Sequence, residues 1–308
     1  MINPLVFSLA SNKRVAKSVA KLINGELGKI LIDHFADGEV LVKTLSDVTQ
    51  RDVVVIESTA KKAHERLFEL LLLIDSIKRS GARSVKLFIP YFGYSRQERV
   101  SWINEPVSCE IVAKILDTAN VDQILTFDLH HPDIKKFFKT NFVSLPTTHL
   151  FSQYFNFYLS EQKISGDKVV VVSPDHGSNE RATNLTKMIS GSTQVILNKI
   201  RPRPNMAEHL EVNVEAVKDK ICIIVDDIID TGGTIISAVK LLKNSGAKRV
   251  LIAASHPVFS KGSVEKIIAS GVDDIVVTNS IEKPLPEQIK VLDISCLIFD
   301  NIMGKSDE

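Results

Sequence analysis

The chain has 308 residues, with 38 Lys and Arg against 37 Asp and Glu, a net charge of +1. That length exceeds one small core and suits two domains of ordinary size. The balanced charge argues against a general nucleic-acid binder, so any anion site has to be local, and 44% hydrophobic against 24% charged residues describes a globular chain, not a disordered one.

Residues 1–13 show no basic flank leading into an apolar run and a small-residue cleavage site. No apolar stretch reaches the ~20 residues of a membrane helix. A soluble, cytoplasmic protein is therefore expected, with neither membrane nor nucleic acid as a partner. Cys109, Cys222 and Cys296 are odd in number, far apart and match no metal spacing, which predicts buried free thiols in a reducing compartment.

The run Val53-Val54-Val55-Ile56 predicts a buried parallel strand, and from Glu65 onward Leu67, Leu70, Leu71 and Ile74 share one helical face. Ser80-Gly81-Ala82 stops that helix, and Val85-Lys86-Leu87-Phe88-Ile89 reads as the next strand, closed by Pro90. Ile124-Leu125-Thr126-Phe127, Val169-Val170-Val171-Val172 and Ile221-Cys222-Ile223-Ile224-Val225 are further strands. Such alternation predicts an α/β fold of mainly parallel sheets flanked by helices. The stretch Lys78-Arg79-Ser80-Gly81-Ala82-Arg83-Ser84-Val85 is echoed by Lys243-Asn244-Ser245-Gly246-Ala247-Lys248-Arg249-Val250. A helix ends at Ser-Gly-Ala and a strand follows in both, which favours two related domains, residues 1–146 and 147–308.

The segment 221–242 carries the strongest chemical signal. An apolar strand ends in Asp226-Asp227, Asp230-Thr231-Gly232-Gly233-Thr234 follows, and a helix begins with Ile235, Ala238, Val239 and Leu242 on one face. Open parallel sheets bind ligands beyond the carboxyl ends of their strands. Backbone N–H groups at a helix start, with the positive end of its dipole, suit a phosphate monoester, and glycine lets the backbone come close. The twin acids are placed to accept hydrogen bonds from vicinal sugar hydroxyls, or to hold a metal through water. A P-loop is excluded because no Lys follows the glycines.

This segment resembles the phosphoribosyl diphosphate-binding signature of type I phosphoribosyltransferases. Four more segments are similar to the ribose-phosphate diphosphokinase family: Phe35-Ala36-Asp37-Gly38-Glu39, Pro90-Tyr91-Phe92-Gly93-Tyr94-Ser95-Arg96-Gln97-Glu98-Arg99, Asp128-Leu129-His130, and Lys199-Ile200-Arg201-Pro202-Arg203-Pro204-Asn205. Ser173-Pro174-Asp175 and residues 255–259 fit as well. The resemblance implies two phosphoribosyltransferase-like domains. It implies an enzyme that moves the β,γ-diphosphate of MgATP to O1 of ribose 5-phosphate, giving phosphoribosyl diphosphate and AMP. By the same resemblance Phe35, Asp37 and Glu39 (supplied from a neighbouring subunit), with Arg96, Gln97 and Arg99, bind ATP. Asp226, Asp227, Asp230, Thr231, Gly232, Gly233 and Thr234 bind ribose 5-phosphate, and His130 and Asp175 bind Mg²⁺. The resemblance also makes Lys199 and Arg201 the expected catalytic residues and implies a homo-oligomer built from dimers, often a hexamer.

The residues support these roles chemically. Planar guanidinium groups suit triphosphate oxygens or a stacked adenine. Attack on the β-phosphorus builds charge that the cations of a mobile loop at 199–205 would stabilise. The chain also departs from the family: Ile200 stands in place of an arginine, Ala63-His64-Glu65 in place of a stretch with Pro and Asn, Glu98 in place of Asp, and His176-Gly177-Ser178-Asn179-Glu180-Arg181 in place of an apolar, double-glycine continuation. Two alternatives stand beside the main reading: a nucleobase phosphoribosyltransferase, which needs no ATP residues, and a weakly active regulatory paralogue.

Overall fold

The computed structural model describes residues 4–200 and 209–304. The chain forms two compact units. One takes the chain through Leu145 together with Asn279–Lys283 and the residues from Asp293 onward; the other takes Pro146–Thr278 and Pro284–Leu292. The sequence-based boundary placed everything after 147 in one domain, whereas two C-terminal segments pack with the first unit.

In chain order the first unit contains β1 (Leu5–Phe7), α1 (Lys13–Leu22), β2 (Glu26–Leu27), a hairpin of β3 (Ile30–His34) and β4 (Val40–Thr44), then β5 (Asp52–Ile56), α2 (Ala63–Arg79), β6 (Ser84–Ile89), α3 (Ser108–Asp117), β7 (Gln123–Phe127) and β8 (Phe142–Leu145). Its main sheet runs β2-β1-β5-β6-β7-β8 and every pairing is parallel. Alternate strand residues serve opposite faces: Val53, Val55, Val85 and Leu87 join the core with Leu70, Leu73, Ile74 and Ile77 of α2.

The second unit contains α4 (Thr148–Glu161), β9 (Val169–Ser173), α5 (Asn179–Met188), β10 (Thr193–Ile196), the pair β11 (Asn198–Ile200) and β12 (His209–Glu211), α6 (Val214–Val217), β13 (Ile221–Ile229), α7 (Gly233–Asn244), β14 (Arg249–Pro257), α8 (Ser263–Ile268), β15 (Asp274–Thr278) and β16 (Ile289–Leu292). Its sheet, β10-β9-β13-β14-β15-β16, is again wholly parallel and repeats the order of the first. Val170, Val172, Cys222 and Ile224 face a layer that includes Ile235, Val239 and Leu242 of α7. Val169, Val171, Ile221 and Ile223 face Phe151, Phe155, Ala182 and Leu185 of α4 and α5. Burial on both sides is why these strands read as unbroken apolar runs. Helix α9 (Ser295–Ile302) returns to the first unit and packs on α1.

The sequence echo has a structural counterpart. Helix α2 ends at Ser80 with Gly81 at φ +87°, and α7 ends at Ser245 with Gly246 at φ +83°. In each case the residue after the glycine returns its N–H to the last turn, Ala82 to Ile77 O and Ala247 to Leu242 O, so a left-handed glycine closes both helices. The cysteines divide differently from expectation: Cys109 and Cys222 are buried, with burial pushing both thiols up to about 12, but Cys296 on α9 is exposed.

Glu57, the residue after β5, is fully buried. Its carboxylate accepts from Ser8 Oγ at 3.1 Å and from the N–H groups of Leu9 at 3.0 Å, Ala10 at 3.2 Å and Ser11 at 2.9 Å. It thereby satisfies the turn between β1 and α1 from inside the fold. Because all four partners donate, an amide would turn one acceptor into a donor facing donors. Glu57→Gln should lower stability by about 2–3 kcal/mol, read as a fall in the calorimetric melting temperature.

Candidate active site

Strand order reverses in the second unit between β9 and β13, since β9 connects outward to β10 and β13 connects the other way to β14. Ligands of doubly wound sheets bind at such switch points, beyond the carboxyl ends of the strands. Asp175 follows β9, and the 226–234 segment lies at the end of β13. The strand outlasts the expected terminus: Asp226 pairs with Ala254 and the ladder continues to Ile229 opposite Pro257, so both acids belong to the strand itself.

Each acid is held from the start of α5, by its N-cap Ser178 or by Arg181 in its first turn. Ser178 Oγ donates to Asp226 Oδ1 at 2.7 Å, and Asp227 N–H reaches the same oxygen at 2.9 Å. Asp227, 3% exposed, has the guanidinium of Arg181 at 3.6 Å. Asp175 Oδ1 accepts from Ser178 N–H at 3.2 Å. Burial first, then the charges of Asp227 and Asp175, push Asp226 up to about 7, while the Ser178 hydroxyl pulls it down.

Beyond the acids the chain turns into α7. Asp230 is fixed to the neighbouring loop by Ser260, whose hydroxyl donates to its carboxylate and whose N–H donates to its carbonyl. Gly232 is the N-cap of α7 at φ +80°, and a Cβ there would come within 2.7 Å of Ile267 Cγ1. Thr231, Gly233 and Thr234 are exposed, and among the described residues no side chain caps the helix. The buried face of α7 is Ile235, Ala238, Val239 and Leu242, the four positions read from helical spacing. An uncapped helix start behind two carboxylates can take an anionic group and neighbouring hydroxyls at once.

Lys199 lies on β11, opposite Leu210 of β12 in an antiparallel pair, a strand where a loop was expected. Arg201 lies outside the described residues. In the first unit, residues 35–39 form the exposed tip of the β3–β4 hairpin, with Phe35 57% exposed and Gly38 at φ +93°. Arg96 and Gln97 line a pocket of about 200 Å³ with Thr59, Ala60, Ala63, Tyr91, Gly93 and Tyr94. The loop is strapped to the turn after β5: Gly93 N–H donates to Thr59 Oγ1 at 2.8 Å, and a Cβ on Gly93 would collide with the Thr59 carbonyl oxygen. Residues 35, 37, 39 and 99 do not line that pocket; Arg99 Nε instead lies 3.4 Å from Glu98 Oε1. His130 is exposed beyond β7, after Asp128 at φ +34°.

His130 and Asp175 belong to different units, each offering one donor. Among the described residues there is no cluster of three or more His, Cys, Asp or Glu suited to a metal. Either residue taken singly suits Mg²⁺, which keeps several waters and binds through one or two protein groups plus phosphate oxygens. Spacing alone did not reveal Thr59, Ser178 or Arg181 as parts of these sites, because their roles depend on strand ends far away in sequence.

Residues 5–119 match the family model described as the N-terminal domain of ribose phosphate pyrophosphokinase, and residues 149–289 match the phosphoribosyl transferase domain. Ribose-phosphate pyrophosphokinase 1 of Listeria monocytogenes is 39% identical over 301 residues, 97% of this chain and 92% of the relative. The Bacillus caldolyticus ribose-phosphate pyrophosphokinase is 40% identical over 286 residues, 93% and 88% of the two chains. The crystal structure of phosphoribosylpyrophosphate synthetase from Mycobacterium smegmatis superimposes with a TM-score of 0.87 at 31% identity, covering 98% of both chains. With its paired parallel sheets and this full-length likeness, the chain belongs to the ribose-phosphate pyrophosphokinase family of enzymes.

Proposed function

We propose that this enzyme transfers the β,γ-diphosphate of ATP to O1 of ribose 5-phosphate, forming 5-phosphoribosyl 1-diphosphate and AMP. The observation that carries the reading is the uncapped α7 start directly beyond the Asp226–Asp227 pair. The N–H groups of 231–234 take the 5-phosphate. Asp226 and Asp227 accept from the sugar hydroxyls, which fixes the anomeric oxygen. The pocket with Arg96 and Gln97 supports ATP as co-substrate, and Phe35, Asp37, Glu39 and Arg99 complete adenine and triphosphate binding.

In the transfer, O1 bonds to the β-phosphorus as the bond from that phosphorus to the α-bridging oxygen breaks. AMP leaves with that oxygen, and the O1 proton passes to solvent. Lys199 and Arg201 stabilise the charge that grows on the transferring group and its leaving oxygen, interactions that matter most in the transition state. His130 and Asp175 would hold Mg²⁺, which when bound neutralises charge on the phosphate oxygens. The exposed Phe35, Leu31 and Leu41 of the β3–β4 hairpin, 57%, 40% and 39% exposed, support assembly with further copies of the chain. We propose a dimer-based homo-oligomer in the cytoplasm.

The direct test is formation of AMP and phosphoribosyl diphosphate from ribose 5-phosphate and MgATP, with and without inorganic phosphate; no AMP under either condition rejects the reaction. Lys199→Ala should lower kcat by roughly 10²–10³-fold with the KM for ATP little changed, and an unaltered kcat removes Lys199 from the mechanism. Asp226→Ala should weaken ribose 5-phosphate at least about tenfold and ATP far less, as measured by calorimetry; the opposite order would reassign the acid.

To accept a hydroxyl, Asp226 works best ionised, and ionisation is what its burial opposes. Its carboxyl, raised from 3.8 to about 7, contributes to stability in full below pH 3.8 and loses that contribution as pH rises through about 7. Asp226→Asn, neutral throughout, should therefore melt higher than wild type at pH 8 in ligand-free, chelator-treated protein. The gap should close below pH 4. Melting curves that coincide at pH 8 would contradict it.

A further inference from the structure

Ser178 occupies the N-cap position of α5, where a serine hydroxyl ordinarily accepts a hydrogen bond from an N–H in the first turn. It makes no such bond. The hydroxyl donates instead to Asp226 Oδ1 at 2.7 Å, 48 residues away in sequence, while the backbone N–H of the same residue donates to Asp175 Oδ1 at 3.2 Å. Ser178 is 2% exposed. One buried residue thus ties together the acids at the ends of two paired strands, β9 and β13. The N–H of Asp227 reaches the same Oδ1 at 2.9 Å, so two donors converge on one oxygen of the Asp226 carboxylate. Asp227 is oriented by a cation, Arg181; for Asp226 the corresponding partner is a hydroxyl.

We infer that Ser178 is a positioning residue for the sugar substrate, aiming Asp226 at one hydroxyl of ribose 5-phosphate and setting it in register with Asp175. The inference rests on the proposed reading of 226–234 as the sugar-phosphate site. Its hydroxyl is spent on a carboxylate and not on the cap. Without the hydroxyl, Asp226 keeps a single donor on Oδ1 and its carboxylate turns.

The test uses full-length Ser178→Ala, Ser178→Gly and Ser178→Thr. Each is titrated calorimetrically with ribose 5-phosphate, its 2-deoxy and 3-deoxy analogues, and MgATP, and assayed for AMP formation. The Ala and Gly variants should bind ribose 5-phosphate about tenfold more weakly, with MgATP affinity unchanged. The wild-type penalty for one of the two missing hydroxyls should shrink by the same factor, and Thr, which keeps the hydroxyl, should restore both. The inference is overturned if Ala and Gly leave ribose 5-phosphate affinity intact, if MgATP weakens equally, or if both deoxy penalties stay as in wild type. Should the Thr variant fail to fold, the Ala and Gly titrations decide by themselves. Wild type that binds the sugar phosphate but makes no AMP refutes the proposed reaction, and the titrations still decide Ser178. Wild type that does not bind the sugar phosphate ends both.

Discussion

Two carboxylates at adjacent strand positions cannot be drawn out of water without a donor for each, and the second unit is organised around meeting that need. The donors come from the start of α5: the hydroxyl of its N-cap Ser178 for Asp226, the Arg181 guanidinium in its first turn for Asp227, and the Ser178 N–H for Asp175. The turn reaches them because β9 and β13 are parallel neighbours at the point where strand order reverses. The apolar faces of α4, α5 and α7 pin those strands, so the hydrophobic core sets the acid geometry and the hydrogen bonds refine it. The satisfaction is incomplete: burial and the neighbouring acids keep Asp226 raised to about 7.

The first unit shows what the same plan becomes when it is closed. The two main sheets share one strand order, so β5 stands where β13 stands, and the residue after its apolar run is Glu57 where the second unit has Asp226. Glu57 is sealed in by four donors from the turn after β1. The start of α1 is closed too, for Glu282 accepts from the N–H groups of Arg14 and Val15. Both units enter the next helix through a left-handed N-cap, Lys62 at φ +54° before α2 and Gly232 at φ +80° before α7. Lys62 carries a side chain paired with Glu65, whereas Gly232 has no room for one beside Ile267. One half has filled its switch point with its own carboxylate; the other has kept the position open.

Legibility in the sequence followed the range of the physics. Periodicities of 2 and 3.6 report burial, so the strands and the buried face of α7 could be read directly, as could the paired helix stops at Gly81 and Gly246, where only a left-handed closure explains the residue. The end of β13 was misplaced because two charged residues look like a strand terminus, although the ladder with β14 carries them through to Ile229. The β11–β12 pair was hidden behind the prolines at 202 and 204. Cys296 shows that a thiol on an amphipathic helix lies on whichever side the packing leaves it. Ser178 looked like a mere departure from the family because a serine before a helix signals a cap, and nothing local says that its hydroxyl serves a carboxylate 48 residues away.

Three locally unfavourable features stand together at this place: a cap residue that does not cap, a helix start left open, and a buried acid held against its burial. On the proposed reading, a phosphate would complete the α7 start and a sugar hydroxyl would complete Asp226. The sheet tolerates the arrangement because its strands are buried on both faces and do not depend on the loops beyond their ends. In the first unit Glu57 and Glu282 fill the equivalent gaps from within the fold, and the pocket lies instead between the turn after β5 and the loop after β6. The division of labour between the two halves then follows from which of two similar acids the chain satisfies with its own donors.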